Sequence, residues 1–396
     1  MDSKRLDEAK RWTRVKGGEV DYVLAALFIA FYGIGLVMVF SASLNEGIKM
    51  SDPLYFLKRQ GVWTLFSLFA FLLFAFVDYR ALVRARKALI WIIIVMLAFL
   101  LFPRSLTGGI VHPSRRWYRL FSFGFQPSEF AKVVLIVYLA HILSKKGEQI
   151  RDFYRGFLPP FLVVCAVSLL VFLQPDFSTA FLLFFIAVIM FFVAGLDAFS
   201  IVSLIIVAVP ALYLMVSGRG YRADRIIGFI NPWMDPTDKG YQIIQSFKAF
   251  AYGGFTGAGL GRSIQKMKYL PIPHTDYIYA IIVEETGFLG ALLVIGLYMI
   301  FAYRGFVVAF SQRESLEFFL AFGITSMVVW GALVNIGVVT GLLPSTGLTL
   351  PFISYGGSSL LSNSIMGGIL LNLSRNRVSV TPALGFERAG SGGGGE

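Results

Sequence analysis

Apolar runs of membrane-crossing length follow one another along most of this chain, near residues 21–43, 60–77, 86–102, 127–144, 157–173, 177–195, 198–217, 277–303, 316–342 and 351–373. A helix needs about 20 such residues to cross a hydrocarbon layer, and it satisfies its own backbone hydrogen bonds while doing so. The expected fold is therefore all-α and polytopic, with about ten transmembrane helices. Of all residues, 57% are hydrophobic and only 15% are charged, too few charges for a water-facing surface.

The expected organisation is a cytoplasmic segment over 1–20, a membrane domain over 21–377 and a tail over 378–396, in which GSGGGGE at 390–396 reads as an appended flexible linker. The first apolar run has no small-residue cleavage site after it, so it is expected to stay as an anchor. Basic residues in the N-terminal segment, in 80–87, in 145–155 and at Arg375 and Arg377 fall on one side, which the positive-inside bias makes the cytoplasm. An even number of spans then keeps both termini inside. It turns two long loops outward, 103–125 and 218–276, the latter between the seventh and eighth helices. The net charge of +12 belongs to this sorting and implies no nucleic-acid partner. The single cysteine, Cys165, lies in an apolar run, which excludes an intrachain disulfide, thiol chemistry and zinc.

The outer loops carry the informative charges. Residues 103–125 hold Arg104, Arg115, Arg116 and Arg119 and no acid, on the face where few cations are expected. Headgroup snorkelling is one reading; a phosphate held at the interface by Arg116 beside Trp117 is the other. The longer loop adds Arg219, Arg222, Arg225, Lys239, Lys248, Arg262, Lys266 and Lys268, consistent with an anionic ligand at the outer leaflet. Within it, YQIIQSFKAFAY places Ile243, Ile244, Phe247 and Phe250 at helical spacing, with Gln242, Gln245 and Lys248 largely elsewhere, as in a helix lying on the membrane surface. The GGFTGAGLGRS that follows lacks the preceding strand of a dinucleotide loop, so its glycines are expected to make a kinked return into the membrane.

Three acids stand beside prolines at helix starts: Glu129 after Pro127, Asp176 after Pro175, and Asp276 after Pro271 and Pro273. Helix capping is the ordinary explanation, and for Asp176 the simpler one. That end of its helix is expected on the opposite face unless the preceding pair forms a hairpin. Glu129 and Lys132, three residues apart, are expected to pair inside the membrane as a structural or functional couple. Asp276 differs in having His274 and Thr275 beside it and the acids Glu284 and Glu285 in the helix it begins. Glu284 lies roughly 12 Å deeper, near the same face. Acids at that depth are costly unless they line a cavity or find partners, and a polar groove entering from outside is the economical explanation.

Taken together, GLVMVFSAS at 35–43, SRRWYRLFSFGFQPSEFAK at 114–132, LQPDFSTA at 173–180, YRADRIIGFINPWMDPTDKGYQIIQS from 221, HTDYIYAIIVEETG at 274–287 and LPSTGLTLPFISYGGSSLL at 343–361 resemble the SEDS family of shape, elongation, division and sporulation proteins. The resemblance covers about residues 21 to 377. It implies a ten-helix fold that polymerises lipid II at the outer face of the bacterial inner membrane, in cell division or elongation, with a class B penicillin-binding protein transpeptidase as partner alongside membrane lipids. The family's essential acid falls on Asp276. This chain departs from the family in having Ile272-Pro273 where Glu-Ala is frequent, and Thr346 where some FtsW proteins carry Lys. VMVFSAS, LQPDFSTA and LTLPFISYGGSS look more like the division branch.

The implied chemistry is attack by an acceptor C4 hydroxyl on a donor C1 whose leaving group is a lipid pyrophosphate. It calls for a base, assigned to Asp276, and for positive charge near the leaving group. Arg116, Arg222 and Arg225 are the expected cations. Trp117, His274, Thr275 and Ser358 complete the expected substrate-binding set. No cofactor is fixed, although Mg²⁺ or Mn²⁺ on Asp276 is an alternative source of positive charge. Readings from other classes are a lipid II flippase and a scaffold that recruits a transpeptidase.

Overall fold

The computed structural model describes residues 20–102, 110–112, 114–120, 123–197, 199–200, 202, 206, 225, 228–267 and 269–376. Helix α1 spans Tyr22–Lys49 and starts where the Asp21 carboxylate accepts the Val23 and Leu24 amides, satisfying two otherwise orphaned donors. Next come α2 (Tyr55–Phe76) and α3 (Arg80–Phe99). Helix α4 (Pro127–Lys146) has Pro127 and Glu129 in its first turn and Lys145 and Lys146 in its last, each suited to the dipole end it occupies. Then follow α5 (Leu158–Leu173), α6 (Phe177–Val193), α7 (Tyr241–Gly253), α8 (Ile278–Phe310), α9 (Ser315–Val339) and α10 (Gly357–Leu373).

Among the described residues six helices are long and apolar enough to cross a membrane. Every expected span coincides with a helix except that over 198–217, which lies largely outside the described residues. The last one is shorter than expected. Residues 351–356 form a turn, because Pro351 interrupts the pattern and Phe352 takes a left-handed backbone, φ 66°. The 103–125 loop contains a short hairpin, β1 (Tyr118–Leu120) against β2 (Phe123–Phe125), which the charge pattern did not announce.

Helix α10 is central, packed on α2, α4 and α9, while α8 packs on α1 and α9. One end of the bundle is closed by polar links that join residues far apart in sequence. Arg304 pairs with Asp21 at 2.8 Å, Arg80 with Glu314 at 3.3 Å, and the Asn372 amide donates to Val77 O at 2.7 Å. These residues adjoin the basic segments expected on the cytoplasmic side. The opposite end holds the site.

Two expectations are corrected here. Helices α5 and α6 are a hairpin through Gln174-Pro175-Asp176, so Asp176 sits at the same end as Gln126 and Ser128, both of which donate to its Oδ2 at 3.1 Å. Its carboxylate makes no capping bond to α6. Nor do Glu284 and Glu285 line a groove: they are 0% and 1% exposed and held by protein groups. Glu284 accepts the Ser263 hydroxyl and the amides of Ile264 (2.7 Å) and Gln265 (3.2 Å). Glu285 accepts Ser41 of α1 at 2.6 Å and Lys266 at 2.7 Å.

What brings those partners inward is the glycine-rich segment. Helix α8 is broken at Gly287, φ 70°, and a break inside a membrane helix leaves backbone groups to be satisfied by protein. The segment 254–259 does so strand-fashion. Ala258 and Gly259 amides donate to Glu284 O (2.9 Å) and Glu285 O (3.0 Å), and Phe288 and Leu289 amides donate to Gly254 O (3.0 Å) and Phe255 O (3.3 Å). Gly257, φ 84°, lies so close to the break that a Cβ there would meet Glu285 O. Helix α7, which leads into this segment, packs on α8; Ile243 and Ile244 are buried, and so, contrary to its expected outward position, is Gln245, 5% exposed.

Candidate active site

Asp276 is the last-but-one residue before α8, and the α8 N-cap is Tyr277, so the acid caps no helix. Three consecutive carbonyls hold its backbone in place. His274 O accepts the Tyr355 amide at 2.9 Å, Thr275 O accepts Ser354 Oγ at 2.5 Å, and Asp276 O accepts Asn335 Nδ2 of α9 at 2.8 Å. The side chain of Asp276 accepts Thr275 Oγ1 on Oδ1 at 2.7 Å, and Thr275 also donates to Ile272 O at 2.9 Å. Ile272-Pro273 thus form the tight turn, Ile272 φ 44°, that delivers the acid.

Facing it runs the segment 344–350, which lies outside any helix or strand. Arg225 Nη1 donates to Ser345 O (3.0 Å) and Thr346 O (2.9 Å), and Ser178 of α6 also donates to Thr346 O (2.6 Å). At Gly347, φ 79°, the position a Cβ would take is 3.8 Å from Asp276 Oδ2 and 4.0 Å from Arg225 Nη2. The acid and the guanidinium therefore flank a spot left open by the missing side chain. Burial pushes the Asp276 carboxyl above the usual carboxylate range, against the pull of Thr275 and Arg225. His274, 4% exposed and ringed by Phe56 (4.5 Å) and Tyr355 (5.3 Å), is pushed down to about 4 by burial. It is neutral at pH 7 and serves as packing and backbone anchor rather than as a cation.

A second polar cluster lies at the same end. Glu129 and Lys132 pair at 2.7 Å, and Ser362 of α10 donates to Glu129 at 3.3 Å. Ser358 accepts the Gln126 amide at 3.1 Å and donates to Gly124 O at 3.4 Å, tying β2 to α10. Arg116 donates Nε to Gln174 O at 3.2 Å and Nη2 to Pro175 O, and Trp117 packs on Gly124. Arg116, Trp117 and Ser358 thus brace the hairpin against the α5–α6 turn and α10. Lys266, one of the outer-loop cations, is buried with Glu285 instead of facing a ligand. Arg222 lies outside the described residues. Among the described residues no three His, Cys, Asp or Glu side chains gather. A divalent ion at Asp276 would draw most of its oxygens from substrate phosphate and water, a ligand set that suits Mg²⁺ or Mn²⁺.

Residues 21–379 match the family described as cell cycle protein that groups FtsW, RodA and SpoVE. The chain belongs to the FtsW/RodA/SpoVE family. Similar members of this family are the probable peptidoglycan glycosyltransferase FtsW of Geobacter sulfurreducens, 42% identical over 355 residues, 89% of this chain and 95% of that protein, and stage V sporulation protein E of Bacillus subtilis, 40% identical over 356 residues, 90% and 97%. A solved chain from a peptidoglycan synthase complex that coordinates polymerization and crosslinking is similar with a TM-score of 0.70 and 30% identity, covering 90% of this chain and 98% of that one.

Against this FtsW/RodA/SpoVE background, Asn335, Ser354, Tyr355 and Ser178 are site residues that the sequence reading missed. Only Asn335 left a trace, as the one amide side chain in a largely apolar helix, where such a group needs partners. The other three sit in segments whose partners are set by tertiary structure alone.

Proposed function

We propose that this chain is a peptidoglycan glycosyltransferase that polymerises lipid II into β-1,4 glycan strands at the outer face of the bacterial inner membrane, in cell division. Family membership, with relatives named FtsW at about 40% identity, supports the activity and the division role. The observation that carries the mechanism is a carboxylate of raised proton affinity, fixed through its own backbone beside a guanidinium.

In the reaction Asp276 takes the proton of the acceptor GlcNAc C4 hydroxyl as that oxygen bonds to C1 of the donor MurNAc. The C1–O bond to the lipid pyrophosphate breaks, the electron pair leaves with the pyrophosphate, and configuration at C1 inverts. Burial suits Asp276 to this task, since a base whose pKa approaches the working pH is the more effective. Arg225 supplies fixed positive charge for the departing phosphate. Were Mg²⁺ or Mn²⁺ bound by Asp276 and the substrate, it would add Lewis-acid stabilisation of the same charge. A class B penicillin-binding protein is the partner that crosslinks the product. The basic segments at the closed end support cytoplasmic termini.

Asp276→Asn tests the base. Glycan formation from labelled lipid II should fall at least 10²-fold, the lower end for loss of a positioned base, while lipid II binding and the melting temperature hold. Asn nearly preserves the shape and hydrogen-bonding capacity of Asp but removes the charge and the basic lone pair, so near-normal chain formation by the folded variant would overturn the assignment. Lipid transfer between leaflets without chain growth by the wild type would point to a flippase.

A further inference from the structure

We propose that Asn335 is a positioning residue for polymerisation, tying the backbone of Asp276 to the 345–348 segment on which Arg225 rests and so fixing base and cation relative to each other. The inference rests on the reading of Asp276 as the base. Asn335 is 1% exposed, near the end of α9. A primary amide buried in a membrane helix is costly unless its donors are used, and both are: Nδ2 donates to Asp276 O at 2.8 Å and to Leu348 O at 2.6 Å. Neither acceptor belongs to α9.

The two carbonyls belong to the two halves of the site. On one side, Asp276 O follows directly from the acid. On the other, Leu348 is next to Gly347, which fronts both Asp276 Oδ2 and Arg225 Nη2, and one and two residues further are the Thr346 and Ser345 carbonyls that hold Arg225. One side chain therefore joins the backbone that carries the base to the segment on which the cation rests. Ser354 and Tyr355 hold Thr275 and His274, but from the turn at 350–355 rather than across the site. Losing the Asn335 bridge would free the acid to shift against Arg225. A displacement of about 1 Å at a reacting group costs on the order of 10² in rate.

The test uses the full-length protein with labelled lipid II, and compares Asn335→Ala with Thr325→Val, a control on the same helix whose hydroxyl bonds back to Ala321 O. For Asn335→Ala, kcat per folded molecule should fall roughly 10- to 100-fold with KM for lipid II unchanged. For Thr325→Val neither should move. A kcat that falls only in step with the folded fraction, or a loss seen in KM instead, would make Asn335 a structural residue and overturn the proposal. Should Asn335→Ala not fold, Asn335→Ser, which keeps one hydroxyl donor, carries the test: a partial fall in kcat at constant KM supports it, and an unchanged kcat overturns it. Asp276→Asn is measured alongside. An active Asp276→Asn removes the base reading itself, whereas an inactive one beside a normal Asn335→Ala removes this inference alone.

Discussion

Desolvation raises the proton affinity of Asp276, and the Thr275 hydrogen bond and the Arg225 charge act in the opposite direction. The base proposed above works ionised, so kcat should fall as pH drops through the folded pKa of Asp276, an acid limb displaced upward from the ordinary carboxylate value of about 3.9. Arg225→Gln removes the stabilising charge and should move that limb further up; a pH–rate profile with an unshifted limb would detach Arg225 from the acid. The same shift bears on stability. A folded pKa above the unfolded one contributes stability that is fully present below the unfolded pKa and is lost as pH rises through the folded pKa. At neutral pH Asp276→Asn should therefore melt no lower than wild type, a sign that separates a functional acid from a structural one. Asp276 itself was legible in the sequence, through its proline-rich approach and neighbouring polar residues. Its proton affinity was not, because burial and the three carbonyl anchors come from residues 335, 354 and 355, whose proximity only the fold creates.

Helix α8 shows what periodicity conveys and what it conceals. Its length and apolarity announced a span, and the glycines at 253–261 announced a kinked return, but the break at Gly287 and its repair by that return are a tertiary arrangement. Two glycines of similar backbone conformation give a test. Gly257, φ 84°, has backbone where a Cβ would go, whereas Gly261, φ 80°, has open space. Gly257→Ala should lower the yield of folded protein and its melting temperature sharply. Gly261→Ala should cost only the left-handed strain of about 1–2 kcal/mol. Similar losses in the two variants, read by thermal unfolding, would mean that contact with the break is unimportant. Glu284 and Glu285 were legible as anomalies of depth; their partners Ser263, Lys266 and Ser41 were not, since those lie on a loop and on the first helix.

At the scale of the whole molecule, outward-facing side chains such as Leu65, Phe69, Ile92 and Val95 leave broad lipid-facing surface. A single-pass transpeptidase partner has ample surface on which to lay its helix. Co-purification of the cognate class B protein and higher lipid II turnover in the complex are expected; a partner that neither co-purifies nor stimulates would count against it. The repair of α8 also constrains the order in which the chain is made. The glycine segment precedes the break in sequence, so it is already synthesised when residues 284–289 enter the membrane and need partners for their freed amides and carbonyls. The chain thus carries its own plug ahead of the gap, and the helix that begins just after Asp276 can be completed during insertion without waiting for the C-terminal helices to arrive.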